Sequence, residues 1–183
     1  EMPLTNAQAA AAKERGANKA IVVLGRIPGE NTDLGLGKGD YYLTDLETEM
    51  IANVAANFED IVLVLNVGYI IDLKFVEEYG IDSIVYMSLG GQEGGNAVAE
   101  ILTGEEVPSG KLTDTIAYNY SDYPTSETFG GNNTQDYKED IYVGYRYFET
   151  FDPEYKTVMY PFGYGLSYTT FDISDVTSNS DGE

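Results

Sequence analysis

The chain contains no cysteine and no histidine. The first absence excludes disulfides, thiolate nucleophiles and cysteine zinc sites. The second removes Ser-His-Asp and Cys-His catalysis and the commonest metal ligand. Acid–base chemistry therefore falls to Asp, Glu, Lys or Tyr. Positive charge is scarce as well: 10 lysines and arginines stand against 31 acidic residues, a formal charge of −21. Such a surface repels phosphate and argues against nucleic acid as a partner. No run approaches the ~20 apolar residues of a bilayer span, so no membrane partner is expected. Glu1-Met2-Pro3-Leu4 shows no basic region followed by an apolar one. No signal peptide is visible there, and the choice between cytoplasm and secretion stays open. A chain that opens on glutamate is expected to be an excerpt from a longer protein.

What is present is enough for one folded domain. The 183 residues are 43% hydrophobic, with many Ile, Val and Leu, and a chain of that length and composition buries a proper core. Thr5 or Asn6 is placed to cap an alanine-rich helix running to about Arg15, with Gly16 as its stop. Ala20–Leu24 reads as a buried strand. Thr44-Asp45-Leu46-Glu47 is a capping box, and Leu46, Met50, Ile51, Val54 and Phe58 recur near helical spacing, which predicts a helix over 44–57. Ile61–Asn66 is a second apolar run, read as a strand covered on both faces. A short helix over Asp72–Tyr79, a strand over Ser83–Met87 and a helix over Asn96–Thr103 follow.

This alternation predicts an α/β fold: a three-layer sandwich in which a mostly parallel sheet is flanked by helices on both faces. The right-handed crossover rule puts the loops after Gly25, Asn66 and Ser88 on one edge of the sheet. Chemistry in open α/β sheets is placed at that edge. Beyond Gly104 the rhythm stops. Tyr118–Gln135 reads as a long surface loop, Ile141–Phe148 as a strand, and Pro161–Phe171 as glycine- and aromatic-rich packing. The expected domain is 1–173, with 174–183 as a linker or disordered tail.

The loop after the first strand, Gly25-Arg26-Ile27-Pro28-Gly29-Glu30-Asn31-Thr32-Asp33, offers one guanidinium and two carboxylates. Its glycines and proline specify a backbone path. From spacing alone, Glu30 reads first as a solvated loop charge. Gly35, Gly37 and Gly39 alternate without the spacing of a dinucleotide fingerprint.

Five motifs, in order, carry a resemblance: Gly25-Arg26-Ile27-Pro28-Gly29-Glu30, Gly91-Gln92-Glu93-Gly94-Gly95, Pro108-Ser109-Gly110-Lys111-Leu112, Tyr142-Val143-Gly144-Tyr145-Arg146-Tyr147, and the run from Pro161 to Phe171. Together they resemble the C-terminal α/β-sandwich domain of glycoside hydrolase family 3, the β-glucosidase and β-xylosidase group. The resemblance spans Ala20 to Phe171. It implies that the first strand or two of the family's sandwich domain are not in these residues.

The resemblance implies retaining hydrolysis of terminal β-linked sugars by two carboxyl groups. An aspartate nucleophile belongs to a separate (β/α)8 barrel of the same parent, which makes that barrel a partner and an oligosaccharide or β-glucoside the substrate. The position matching the family's glutamate acid/base is Glu30. In this chain alone Glu30 is expected to be exposed, since the barrel supplies the pocket wall. Asp33 matches the pattern and either positions Glu30, lines the sugar site or caps its own loop. Arg26 is read as an anchor for loop carboxylates or a ligand to substrate hydroxyls. Asn31 stands where the family has glycine, and Leu34 where it has arginine. Gln92, Glu93, Tyr145 and Arg146 are expected to serve structure. No cofactor and no metal is implied. A non-catalytic carbohydrate-binding or scaffolding module of the same fold is the alternative, and a flavodoxin-like binder would need a phosphate loop not found here.

Overall fold

Two capping boxes set the starts of the first long elements. The computed structural model describes residues 3–26, 35–130 and 133–178. Thr5 accepts from the Gln8 backbone N–H, and the Gln8 side chain reaches back to the Thr5 backbone, opening helix α1, Asn6–Glu14. Thr44 and Glu47 repeat the arrangement at helix α2, Asp45–Ala55. Each box satisfies backbone donors that a helix start otherwise leaves unpaired.

Strands β1 (Lys19–Gly25), β2 (Asp60–Asn66) and β3 (Ser83–Tyr86) pair in parallel in the order β1-β2-β3. The register sets Val22 beside Leu63 and Leu24 beside Leu65. Those side chains share one face with Ala9 of α1, Ile51 and Val54 of α2, and Phe75 and Val76 of helix α3, Lys74–Glu78. The opposite face carries Ile21, Val23 and Val64, and helix α4, Gly94–Thr103, lies over it with Val98 and Leu102. Helices therefore flank the parallel sheet on both sides, the three-layer α/β sandwich expected from the strand–helix alternation.

The two faces are not equally filled. β2 is buried on both, as expected of a central strand. β1 was expected to be buried too, but Ile21 and Val23 are each 58% exposed. The reason is an open cleft of about 350 Å³ between β1 and α4, over the edge strand of the described sheet. No residue of α4 is buried, although one side of it is apolar.

The second half folds differently from its sequence pattern. Ile141–Phe148 was expected to be a strand; instead, helix α5 covers Tyr145–Phe151. Gly144 takes φ 60°, which ends any extended run and starts the helix, and Phe148, 1% exposed, then packs on Ala117 and Val158. Alternation and helical spacing overlap in so short an aromatic stretch, and burial of Phe148 decides for the helix. Strands β4 (Ile116–Ala117) and β5 (Val158–Tyr160) pair antiparallel. Nearby, Leu112 N donates to Tyr164 O at 2.9 Å and Gly163 N to Leu112 O at 2.8 Å. The third and fifth sequence motifs are thus one backbone-paired unit. Tyr120–Asp122 forms a single 3-10 turn, and 171–178 has no regular structure.

Candidate active site

The three parallel strands deliver their exits to a single edge. Gly25 stands opposite Asn66, and Leu65 opposite Tyr86. The ladder continues for one step beyond each strand: Arg26 N donates to Asn66 O at 3.2 Å, and Met87 N to Leu65 O at 3.1 Å. The loop containing Glu30 and Asp33 begins at this edge. Both residues lie outside the described residues.

Arg26 is described, and its side chain turns inward, only 5% exposed. Nη1 donates to Glu47 Oε1 at 2.5 Å and Nη2 to Glu47 Oε2 at 2.9 Å, a two-pronged fork on a carboxylate of α2. Nη1 also reaches Gly25 O at 3.0 Å, and Nε donates to Asp40 O at 3.2 Å. Arg26 was expected to anchor carboxylates of its own loop; its described carboxylate partner is instead Glu47 on α2. Its guanidinium faces protein acceptors on several sides.

Glu47 was expected only to close a capping box, and it has a second task. Oε2 accepts from Thr44 N at 2.8 Å and Thr44 Oγ1 at 3.0 Å while holding Arg26. Burial by itself raises the carboxyl's pKa, but the hydrogen bonds from Arg26 and Thr44 and the Arg26 charge outweigh it, holding Glu47 below the ordinary glutamate value. The pairing joins residues 21 apart, so no local spacing rule exposes it. The clue in the sequence was a lone arginine leaving an apolar strand, which needs an anion if it is to be buried.

Behind this pair lies a tyrosine-rich wall. Tyr41 is 4% exposed, and its ring meets Tyr42 and Tyr120 edge-on at 4.9 and 5.4 Å. Asp72 N donates to Tyr41 O at 2.9 Å. Burial, then Tyr123 and Asp72, push the Tyr41 phenol well above its ordinary value. Burial pushes Tyr123 up to about 12. Both hydroxyls keep their protons at neutral pH.

Of the residues expected to serve structure, Glu93, Tyr145 and Arg146 make contacts within the protein. Glu93 Oε2 accepts from Asn96 Nδ2 at 2.5 Å in the first turn of α4. Tyr145 stacks on Phe162, ring centroids 4.3 Å apart, and Arg146 Nη1 donates to Ile141 O at 3.3 Å. Among the described residues, the cleft beside α4 is lined by apolar residues, glycines and Asn66, with no titratable group. Among the described residues, no cluster of three or more acidic side chains is arranged to hold a metal ion. No helix among them is long and apolar enough to cross a membrane.

Comparison with known proteins places this geometry. The family described as "Glycosyl hydrolase family 3 C-terminal domain" matches residues 4–168. A β-glucosidase of Ruminococcus albus is 46% identical over 174 residues, covering 95% of this chain and 18% of that protein. Beta-glucosidase A of Butyrivibrio fibrisolvens is 50% identical over 139 residues, covering 75% of this chain and 17% of the relative. Among solved structures, a β-glucosidase from Paenibacillus barengoltzii superposes with a TM-score of 0.87 at 44% identity, covering 93% of this chain and 18% of that one. β-Glucosidase 3B from Thermotoga neapolitana, solved in complex with α-D-glucose, superposes with a TM-score of 0.86 at 38% identity over 100% of this chain and 26% of its own. The chain spans about a fifth to a quarter of the proteins it matches.

Proposed function

The chain belongs to the glycosyl hydrolase family 3 C-terminal domains, and on that footing we propose that it is the part of a retaining, β-glucosidase-like enzyme that supplies the general acid/base. The substrate is a terminal β-linked glucoside or oligosaccharide. Glu30 protonates the leaving oxygen as the glycosyl bond breaks, then, as a carboxylate, takes the proton from the water that releases the sugar. The nucleophile is an aspartate on a (β/α)8 barrel of the same parent, held ~5–5.5 Å from Glu30 as retention requires. Asp33 lines the sugar site beside it. Arg26, with its guanidinium bonded to Glu47, Gly25 and Asp40, supports the loop rather than touching the sugar. The chain alone is inactive.

The observation carrying this reading is that the Gly29-Glu30 pair follows in sequence on Arg26, the last described residue at the strand-exit edge, in a chain that matches the family over 4–168. Two further facts support a larger parent. The chain spans 18% of the Ruminococcus albus β-glucosidase. Ile21 and Val23 leave apolar surface open on β1.

The test is Glu30→Ala in the full-length enzyme. Hydrolysis of phenyl β-glucoside is expected to fall by ~10²-fold or more. A dinitrophenyl glucoside, whose leaving group needs no proton, should still form the glycosyl-enzyme. Azide should then speed turnover and yield β-glucosyl azide. Turnover of phenyl β-glucoside at the wild-type rate would remove Glu30 from the role.

A further inference from the structure

We propose that Glu47, acting through Arg26, is a positioning residue for the acid/base loop. The proposal rests on the reading of Glu30 given above, because it concerns how that loop is held.

The geometry is a staple. Arg26 is the first residue past β1, and its backbone is still fixed by the sheet through Asn66 O. Its side chain ties the chain's departure to its return, since Nε donates to Asp40 O at 3.2 Å. The same guanidinium forks onto Glu47 at 2.5 and 2.9 Å. Glu47 cannot swing away easily, because Oε2 also accepts from Thr44 N and Thr44 Oγ1. Residues 26 and 40 are thereby referred to the first turn of α2, an element that packs on the core through Ile51 and Val54.

Stability alone does not call for this pair. Desolvating two charges offsets most of their attraction, and apolar residues of similar volume often serve a fold as well. What a two-pronged arginine–carboxylate contact provides is orientation, because the planar fork fits the carboxylate in one way. Orientation is what an acid/base on a strand-exit loop requires, since ~1 Å of misplacement can cost ~10²-fold in rate. A lysine, a point charge, would give the attraction without the angle.

Glu47→Gln in the full-length enzyme separates this role from helix capping. Glutamine at that position still completes the capping box toward Thr44, but it presents an amide to Arg26 and removes the charge. The readout is kcat/KM on two glucosides of different leaving-group ability. Proton donation matters for phenyl β-glucoside and hardly for the 2,4-dinitrophenyl analogue. The expected result is a loss of ~10–100-fold on the first and less than ~3-fold on the second. Removing one partner of a buried pair is itself destabilising, so Tm is expected to fall, and the rates are compared at a temperature where the variant is fully folded. Arg26→Lys is expected to show the same asymmetry, and it carries the test should Glu47→Gln fail to fold.

Equal losses on both substrates, or no loss on either, would overturn the positioning role. The outcomes also separate the two proposals. Wild-type rates in Glu47→Gln with a crippled, azide-rescued Glu30→Ala would overturn the staple and leave Glu30 in place. Leaving-group-dependent loss in Glu47→Gln with an unimpaired Glu30→Ala would support the staple and move the acid elsewhere on the loop.

Discussion

The Tyr123 hydroxyl accepts a hydrogen bond from the Ala117 backbone N–H at 2.9 Å. A side chain thereby completes the short antiparallel strand β4, on a residue only 3% exposed. The same hydroxyl lies 3.4 Å from Thr115 O, so one phenol serves as acceptor and donor to one stretch of backbone. Its ring meets Phe148 edge-on at 5.9 Å, which couples β4 to α5. Tyr123→Phe keeps the ring and orphans the buried Ala117 donor. A buried donor without a partner costs about 1–3 kcal/mol. Thermal denaturation should show Tm lower by ~2–10 °C. An unchanged Tm would mean that Ala117 N–H finds water instead.

Gly165 makes a second, sharper prediction about the pairing of the third and fifth motifs. A Cβ at Gly165 would lie 2.7 Å from Gly110 O and 3.0 Å from Lys111 Cδ. The lysine stem can move, but the carbonyl is backbone and is held by the Leu112–Tyr164 and Gly163–Leu112 hydrogen bonds. The Lys111 ammonium also donates to Gly165 O, so separation would cost that contact as well. Gly165→Ala should destabilise by ~1–3 kcal/mol through overpacking. Hydrogen exchange should rise first at the Leu112 and Gly163 amides. Gly110→Ala serves as the control, since a Cβ there meets nothing within 4 Å.

The parallel half was legible in the sequence because its signals are local. Continuous Ile-Val-Leu runs, a cap at Thr5 or Asn6, a capping box at Thr44 and stop glycines at 16 and 104 each act within one turn or strand. The observed bounds, such as Lys19–Gly25 and Asp45–Ala55, lie within a residue or two of those expected. The second half was less legible because long-range contacts decide it. β4 pairs with a strand some 40 residues later, and α5 forms where burial of Phe148 prevails over an alternating aromatic pattern. At the site, the strand-exit edge could be read from sequence, whereas the inward turn of Arg26 and its pairing with Glu47 on α2 could not. Glu47 had a sufficient local explanation as a capping residue, and nothing at a separation of 21 distinguishes one acidic residue from the next.

Thr44 offers a prediction at that junction. Its hydroxyl accepts from Glu47 N at 3.1 Å and donates to Glu47 Oε2 at 3.0 Å. Thr44→Ala removes both, and losing a cap of this kind costs about 0.5–2 kcal/mol. Glu47 keeps the Thr44 backbone N–H and the Arg26 fork. The loss should therefore appear in Tm, by ~1–8 °C, and leave the ratio of kcat/KM for phenyl and dinitrophenyl glucosides near wild type. A ratio as disturbed as that of Glu47→Gln would show that the Thr44 hydroxyl, and not only its amide, fixes the Glu47 rotamer.

Asp72 and Glu47 respond to pH in opposite senses. Burial pushes the Asp72 carboxyl above the ordinary aspartate value, and Lys74 only partly offsets it. Lys74 Nζ stands 3.6 Å from Oδ1, close enough for charge attraction but too far for a hydrogen bond, and among the described residues buried Oδ1 has no hydrogen-bond partner. A folded pKa above the unfolded one means that the native state holds this proton more tightly. The resulting stabilisation is complete below the unfolded value of ~3.9 and is lost as pH rises through the folded value. Glu47, held low, contributes above its unfolded value of ~4.3 and loses that contribution as pH falls through the folded value. Asp72→Asn should therefore raise Tm near neutral pH, by ~2–4 °C for each kcal/mol recovered. The advantage should vanish below about pH 4, where the wild-type carboxyl is protonated in both states. Tm measured for both proteins across this range decides the matter. A lower Tm for Asp72→Asn at neutral pH would mean that attraction between Asp72 and Lys74 outweighs the cost of burying the charge.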